Sequence, residues 1–144
     1  EDAADFLTPK LKTLLPDPTH LKDMQRAVER TLHALERRQP IAIFGDYDVD
    51  GATSTALLLR YFAQLGLPAT YYIPDRMTEG YGPNAPALQK LHRAGVRLAL
   101  TVDCGISAFG PLEAAHAAGL DVIVLDHHLG SSLLPKAAAV VNPN

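Results

Sequence analysis

The chain has a single cysteine, Cys104, among its 144 residues. No internal disulfide can form, and a reducing compartment such as the cytoplasm is expected. A surplus of positive charge is also missing: 13 Lys and Arg stand against 16 Asp and Glu, for a formal net charge of −3. No general basic character therefore announces a polyanionic partner, although bound divalent ions would reverse the local sign. No apolar run approaches the ~18 residues of a membrane span, so no membrane partner is expected. The first residues, Glu1-Asp2-Ala3-Ala4-Asp5, are acidic, unlike a signal peptide. An initiator Met is absent, as expected of a trimmed or excised piece. There is no low-complexity segment and no tandem repeat. After His128 the chain contains no Asp or Glu. What remains, at 47% hydrophobic and 20% charged residues, is ordinary material for one globular domain with a real core.

That material alternates. Pro9, Pro16 and Pro18 interrupt residues 1–20, which read as a short helix built on Phe6, Leu7, Leu11, Leu14 and Leu15, then a turn. Leu21, Met24, Val28, Leu32 and Leu35 recur at helical spacing, with Asp17 or Thr19 as the expected cap. Arg30, Arg37 and Arg38 fall mostly off that stripe and read as a solvated face. After Pro40, apolar runs predict strands at 41–44, 69–73, 96–102, 121–125 and 137–141. Helical patterns predict helices at 52–65, 85–94 and 107–118. The expected fold is an α/β domain: an open, mostly parallel sheet of about five strands with helices on both faces, after an N-terminal helical segment over 1–40.

Ligands gather at the carboxyl ends of the strands of such sheets. Here those ends are acidic. The first strand runs into Gly45-Asp46-Tyr47-Asp48-Val49-Asp50-Gly51, the third into Asp103-Cys104-Gly105, the fourth into Asp126-His127-His128. One acidic turn is ordinary, but three on one sheet edge repel one another unless cations hold them. Carboxylates with one or two imidazoles suit Mn²⁺ or Mg²⁺ better than zinc, whose structural sites favour thiolates. Two ions would balance this much charge and suit phosphate-ester hydrolysis with water as nucleophile. Two other readings of the first cluster fail. A calcium loop opening at Asp46 needs a Glu at its twelfth position, which is Leu57. An aspartate-nucleophile phosphatase needs Thr or Val at its fifth, which is Asp50 or Ala52 in the two registers. Cys104 reads as a small buried residue. The loop over 74–84 is long enough to have a purpose, and its Arg76 suits bidentate phosphate contact unless it pairs with Asp75 or Glu79. His20, His33, His92 and His116 lie away from the strand ends and receive no role.

The three acidic motifs, with the Glu79-Gly80-Tyr81-Gly82 loop and Val141-Asn142-Pro143, resemble the DHH phosphoesterase family, and within it the single-strand-specific 5′→3′ DNA exonucleases of repair and recombination. The resemblance covers the chain from about Phe6 onward. It makes 41–144 a partial DHH domain, since the family's fourth acidic motif and second domain are not among these residues. It implies Asp46, Asp48, Asp50, Asp103, His127 and His128 as metal ligands or their close supports. Catalysis would fall to Asp48, Asp50, Asp103, His127 and His128. Asp126 would orient an imidazole, and Arg76 would face DNA. The implied cofactors are two Mn²⁺ or Mg²⁺ ions in the complete enzyme. The implied partner is single-stranded DNA, with a single-strand-binding protein or a helicase beside it. Pro83, after the loop motif, departs slightly from the family pattern. The alternatives are a DHH phosphodiesterase or pyrophosphatase for small substrates, or an inactive relative that binds a partner. Small-substrate relatives carry a His where Phe44 stands, and an intact ligand set argues against inactivity.

Overall fold

The computed structural model describes residues 3–144, apart from the side chains of Ala4, Asp5 and Thr13. Glu1 and Asp2 of the acidic N-terminal stretch lie outside the described residues. Two short helices come first, α1 (Ala3–Leu7) and α2 (Leu11–Leu14). Their apolar side chains Phe6, Leu7, Leu11, Leu14 and Leu15 are all exposed, so this segment adds little to the core.

The main helix before the sheet, α3 (Met24–Glu36), does not use the expected caps. Asp17 instead caps a separate 3₁₀ turn at Pro18–His20, accepting from the Thr19 N–H at 2.9 Å. Asp23 stands at the N-cap of α3 in a left-handed conformation, φ 58°, and makes no capping bond. Its carboxylate accepts from the Val140 N–H at 3.1 Å and pairs with Arg26 at 3.2 Å, fixing the start of α3 to the far edge of the sheet. Arg30 also departs from expectation. Its Nε donates to Asp121 Oδ2 at 2.7 Å, and only 17% of its side chain is exposed, so it ties α3 to a strand rather than facing solvent. Arg37 and Arg38 are exposed, as the helical stripe implies.

The sheet has five parallel strands: β1 (Ile41–Phe44), β2 (Thr70–Tyr72), β3 (Leu98–Val102), β4 (Asp121–Leu125) and β5 (Ala139–Val141), in the order β2-β1-β3-β4-β5. The remaining helices are α4 (Val49–Gln64), α5 (Ala85–Arg93) and α6 (Phe109–Ala118). Side chains alternate across each strand. Ala42, Phe44, Ala99, Val122 and Val124 pack with Leu88, Leu91 and Leu112 of α5 and α6. Ile41, Ile43, Leu98, Leu100 and Ile123 pack on the other face with Ala27 and Ala34 of α3 and Phe62 of α4. Both faces are covered, which is why β1, β3 and β5 are buried throughout rather than alternating. The predicted strands are all present; those at 96–102 and 137–141 begin two residues later, and that at 69–73 is shorter by one residue at each end. Among the described residues no helix is long and apolar enough to cross a membrane.

The order places one reversal. From β1 the chain passes outward to β2 through α4, then returns past β1 to β3 through α5. The carboxyl ends of β1 and β3 therefore flank the switch point of the sheet, where open α/β folds bind ligands.

Candidate metal centre

Three strand ends build the site. The pairing of Phe44 with Thr101 and of Val102 with Leu125 brings them level. From β1 the chain continues through Gly45 into Asp46, which is buried at 3% exposure. Asp48 then acts as the N-cap of α4, its Oδ1 accepting from the Gly51 N–H at 2.9 Å. That cap starts the helix at Val49, three residues earlier than the sequence pattern suggests, so Asp50 lies in its first turn and not in a loop. Such tight passage demands glycine. A Cβ at Gly51 would sit 2.6 Å from the Cβ, N and O of Asp46, and one at Gly45 would meet Thr55 Oγ1.

At the end of β3, Asp103 is buried and left-handed, φ 61°. Such a conformation is unfavourable for most residues and tolerated by Asp and Asn. Its N–H donates to Leu125 O at 2.9 Å and its carboxylate lies 3.0 Å from His127 Nε2. After β4, Asp126 is buried and accepts four bonds: from the N–H groups of Ile106, His127 and His128 at 2.9, 2.8 and 3.1 Å, and from His128 Nδ1 at 2.7 Å. The pairing leaves Nε2 of His128 as the free ring nitrogen. Asn142 and Asn144 donate from their side chains to the carbonyls of His128 and His127, so the segment after β5 clamps this turn.

Two groups of potential ligands result. Asp46, Asp48 and Asp103 form one, and Asp103, His127 and His128 the other, each with its donor atoms within 4.8 Å of one another. Asp103 belongs to both. Asp50 belongs to neither. It is exposed and lines a cavity of about 530 Å³ together with Thr53, Leu57, Asp103, Asp126 and His127. The expected residues thus converge, with Asp50 set to one side. Asp46 Oδ1 is buried with no hydrogen-bond partner among the described residues, a state a carboxylate oxygen rarely accepts unless a cation completes it. This orphan oxygen, the hard oxygen donors and the imidazoles fit a divalent ion of the Mn²⁺ or Mg²⁺ kind.

The charges in the site are unevenly stabilised. The Gly51 N–H holds the Asp48 carboxyl below its ordinary range. Burial, and then the neighbouring Asp48, push Asp103 up. Asp126 is opposed by its burial, but the Ile106 N–H and His128 outweigh this and keep its carboxyl low. The same pairing with Asp126 raises His128. Burial raises the Cys104 thiol, which is fully buried and directed at the carbonyls of Val102 and Phe44. Arg76 pairs with neither Asp75 nor Glu79. It lies over the ring of Tyr47, the residue between Asp46 and Asp48 of the first motif, 5.2 Å from the centroid. Sequence reasoning missed Tyr81, whose hydroxyl donates to Asp103 O at 2.8 Å, and the two asparagines. Only the place of Tyr81 and Asn142 within the quoted motifs hinted at them, and nothing singled out Asn144.

A doubly wound parallel sheet with carboxylates and imidazoles crowded at its switch point defines the class of α/β domains that hold metal at the sheet edge. The chain belongs to the DHH family: residues 40–144 match the model of the DHH family, N-terminal domain. It is 42% identical over 127 residues to the single-stranded-DNA-specific exonuclease RecJ of Bacillus subtilis, covering 88% of this chain and 16% of the relative. It is 39% identical over 143 residues to the RecJ of Escherichia coli, covering 99% of this chain and 25% of the relative. Among solved structures, it is similar to exonuclease RecJ bound to manganese (TM-score 0.80, 38% identity, covering 89% of this chain and 33% of that one). It is also similar to RecJ in complex with Mn²⁺ from Thermus thermophilus (TM-score 0.75, 34% identity, covering 95% of this chain and 18% of that one). The chain thus spans only 16% to 25% of the length of these two curated relatives.

Proposed function

We propose that this chain is the metal-holding part of a single-strand-specific 5′→3′ DNA exonuclease of repair and recombination. The observation that carries the reading is the pair of ligand groups joined at Asp103, in a chain of the DHH family. Asp46 and Asp48 would hold one Mn²⁺ or Mg²⁺ ion, His127 and His128 the other, with Asp103 common to both. Bound there, the ions would supply Lewis acidity toward a phosphoryl group and lower the pKa of water enough to furnish hydroxide near neutral pH. The chain itself does the positioning. Asp126 fixes the tautomer and angle of His128, as outer-shell carboxylates do for ligating imidazoles. Asp48 anchors α4 as its cap and presents its second oxygen. Asp50 belongs to the same site through the cavity wall. On this reading 41–144 is a partial DHH domain and 1–40 its N-terminal helical segment. The working compartment is the cytoplasm. A single-strand-binding protein or a helicase would deliver the DNA.

The test is to incubate the intact protein that carries this chain, with Mn²⁺, on 5′-labelled single-stranded DNA, a dinucleotide or pyrophosphate. Nucleotides should leave the 5′ end of the single strand and a chelator should stop the release. Turnover confined to the dinucleotide or pyrophosphate would replace this reading with the small-substrate one.

Arg76 extends it to DNA. The alternative partner Glu79 is already occupied by Tyr72 OH, the Asp75 N–H and Asn84, so the guanidinium is free to meet a phosphate from above Tyr47. Arg76→Ala should weaken single-strand affinity several-fold and lower the slope of log affinity against log salt by roughly 1. An unchanged salt slope in fluorescence anisotropy titrations would remove Arg76 from the DNA path.

A further inference from the structure

The Glu79-Gly80-Tyr81-Gly82 motif has no part in the chemistry so far, yet its loop is built rather than loose. Glu79 is its anchor. One carboxylate oxygen accepts from Tyr72 OH at 2.7 Å and Asn84 Nδ2 at 3.2 Å, and the other from the Asp75 N–H at 2.9 Å. Gly80 and Gly82, at φ 80° and 76°, turn the chain on either side of Tyr81. The tyrosine is thereby carried back over the sheet edge. Its hydroxyl donates to the carbonyl of Asp103 at 2.8 Å and lies 3.3 Å from His128 Nδ1. Its ring meets the His128 ring edge-on, with centroids 5.9 Å apart and planes at 74°.

We infer that Tyr81 is a positioning residue for the metal centre, holding Asp103 through its carbonyl and His128 through its ring edge. The inference rests on the proposed reading of the site. Asp103 is the residue most in need of such a hold. It is the shared member of both ligand groups, and its φ of 61° is one that the backbone leaves readily. Its N–H is fixed by Leu125 O, and Tyr81 fixes the other side of the same residue. His128 is held at Nδ1 by Asp126, and Tyr81 adds its ring edge and a hydroxyl 3.3 Å from the same nitrogen. Two ligands from two different strands are thus referred to one side chain on the loop that also carries Arg76. Movement of that loop would be felt at both.

Tyr81→Phe keeps the ring and removes only the hydroxyl. In the intact protein, Mn²⁺ affinity, read from the EPR signal of free Mn²⁺, should fall about 10-fold, within the range for outer-shell changes. The kcat on single-stranded DNA should fall by a similar factor while KM stays within about 2-fold, since the removed hydroxyl is engaged by the Asp103 carbonyl. Tyr81→Leu, which removes the ring edge as well, should lose more Mn²⁺ affinity than Tyr81→Phe. A purely structural hydroxyl would lower the melting midpoint and leave Mn²⁺ affinity and kcat alone. Wild-type Mn²⁺ affinity and kcat in Tyr81→Phe would overturn the role of Tyr81 while leaving the site intact. Failure of the unmodified protein to bind Mn²⁺ would overturn the site and this inference with it.

Discussion

Gly51→Ala should destabilise the fold by about 3 kcal/mol or more, at the upper end of overpacking costs, because nothing around it can yield. The added Cβ would lie 2.6 Å from three atoms of Asp46, two of them backbone. Flexible side chains can step aside from such a contact; the end of a central strand cannot. Relief would require the first turn of α4 to lift from β1, which would break the Asp48 cap to the Gly51 N–H and move two acidic residues of the site together. Gly110 supplies the control. It lies in the first turn of α6 and an added Cβ meets nothing within 4 Å. Gly110→Ala should therefore stabilise by about 0.4–1 kcal/mol through the unfolded chain. Denaturant titrations of the two variants should move in opposite directions from the parent. A Gly51→Ala variant as stable as the parent would mean that α4 does not press on Asp46 as described.

That contact also shows where reading the sequence reached its limit. The acidic run after Ile41–Phe44 was legible as a strand end carrying ligands, because an apolar run and a polar stop are local features. Asp50 was legible as a candidate ligand and Gly51 only as the close of the acidic run. The glycine is required by Asp46 pressing from the side, and the helix had in fact begun at Val49. Arg30 shows the same boundary at longer range. Periodicity placed it on the outer face of α3, whereas it bonds Asp121, 91 positions away. Asp23 stands at the N-cap position of α3, yet its carboxylate bonds Val140, 117 positions away. Strand ends, turn residues and helical stripes follow from neighbours in the chain. Which distant carboxylate meets which guanidinium or amide follows only once the sheet order is known. The ligand groups were accessible because the family motifs and the parallel register both place them on one edge. Tyr81 and the clamp by Asn142 and Asn144 act across that edge, so spacing alone could not assign them.

Asp103→Asn should abolish metal-dependent cleavage while leaving the metal-free protein as stable as the parent or more so. Asn is the right substitution here because it tolerates the left-handed φ of 61° that Ala would strain, and it keeps the side-chain shape. It removes one negative charge from a buried position beside Asp48. That charge is costly in the metal-free state: burial first, and Asp48 second, hold the Asp103 carboxyl above its usual range. A folded-state value above the unfolded one, ~3.9 for Asp, means the ionised group opposes folding near neutral pH. Its penalty fades as pH falls through the folded value. The gain in the Asn variant should thus be present at pH 7 and shrink as the pH is lowered toward about 4. With metal the order reverses. The parent should gain in melting midpoint with millimolar Mn²⁺ by mass action, whereas the variant, without the ligand common to both groups, should gain much less. Turnover should drop by more than ~100-fold, since even outer-shell changes cost about 10- to 100-fold. Thermal melts with and without Mn²⁺, at pH 7 and pH 5, separate charge relief from loss of fold. A variant that still cleaves single-stranded DNA at the parent's rate under saturating Mn²⁺ would take Asp103 out of the metal centre. The shared-ligand reading of the two groups would fall with it.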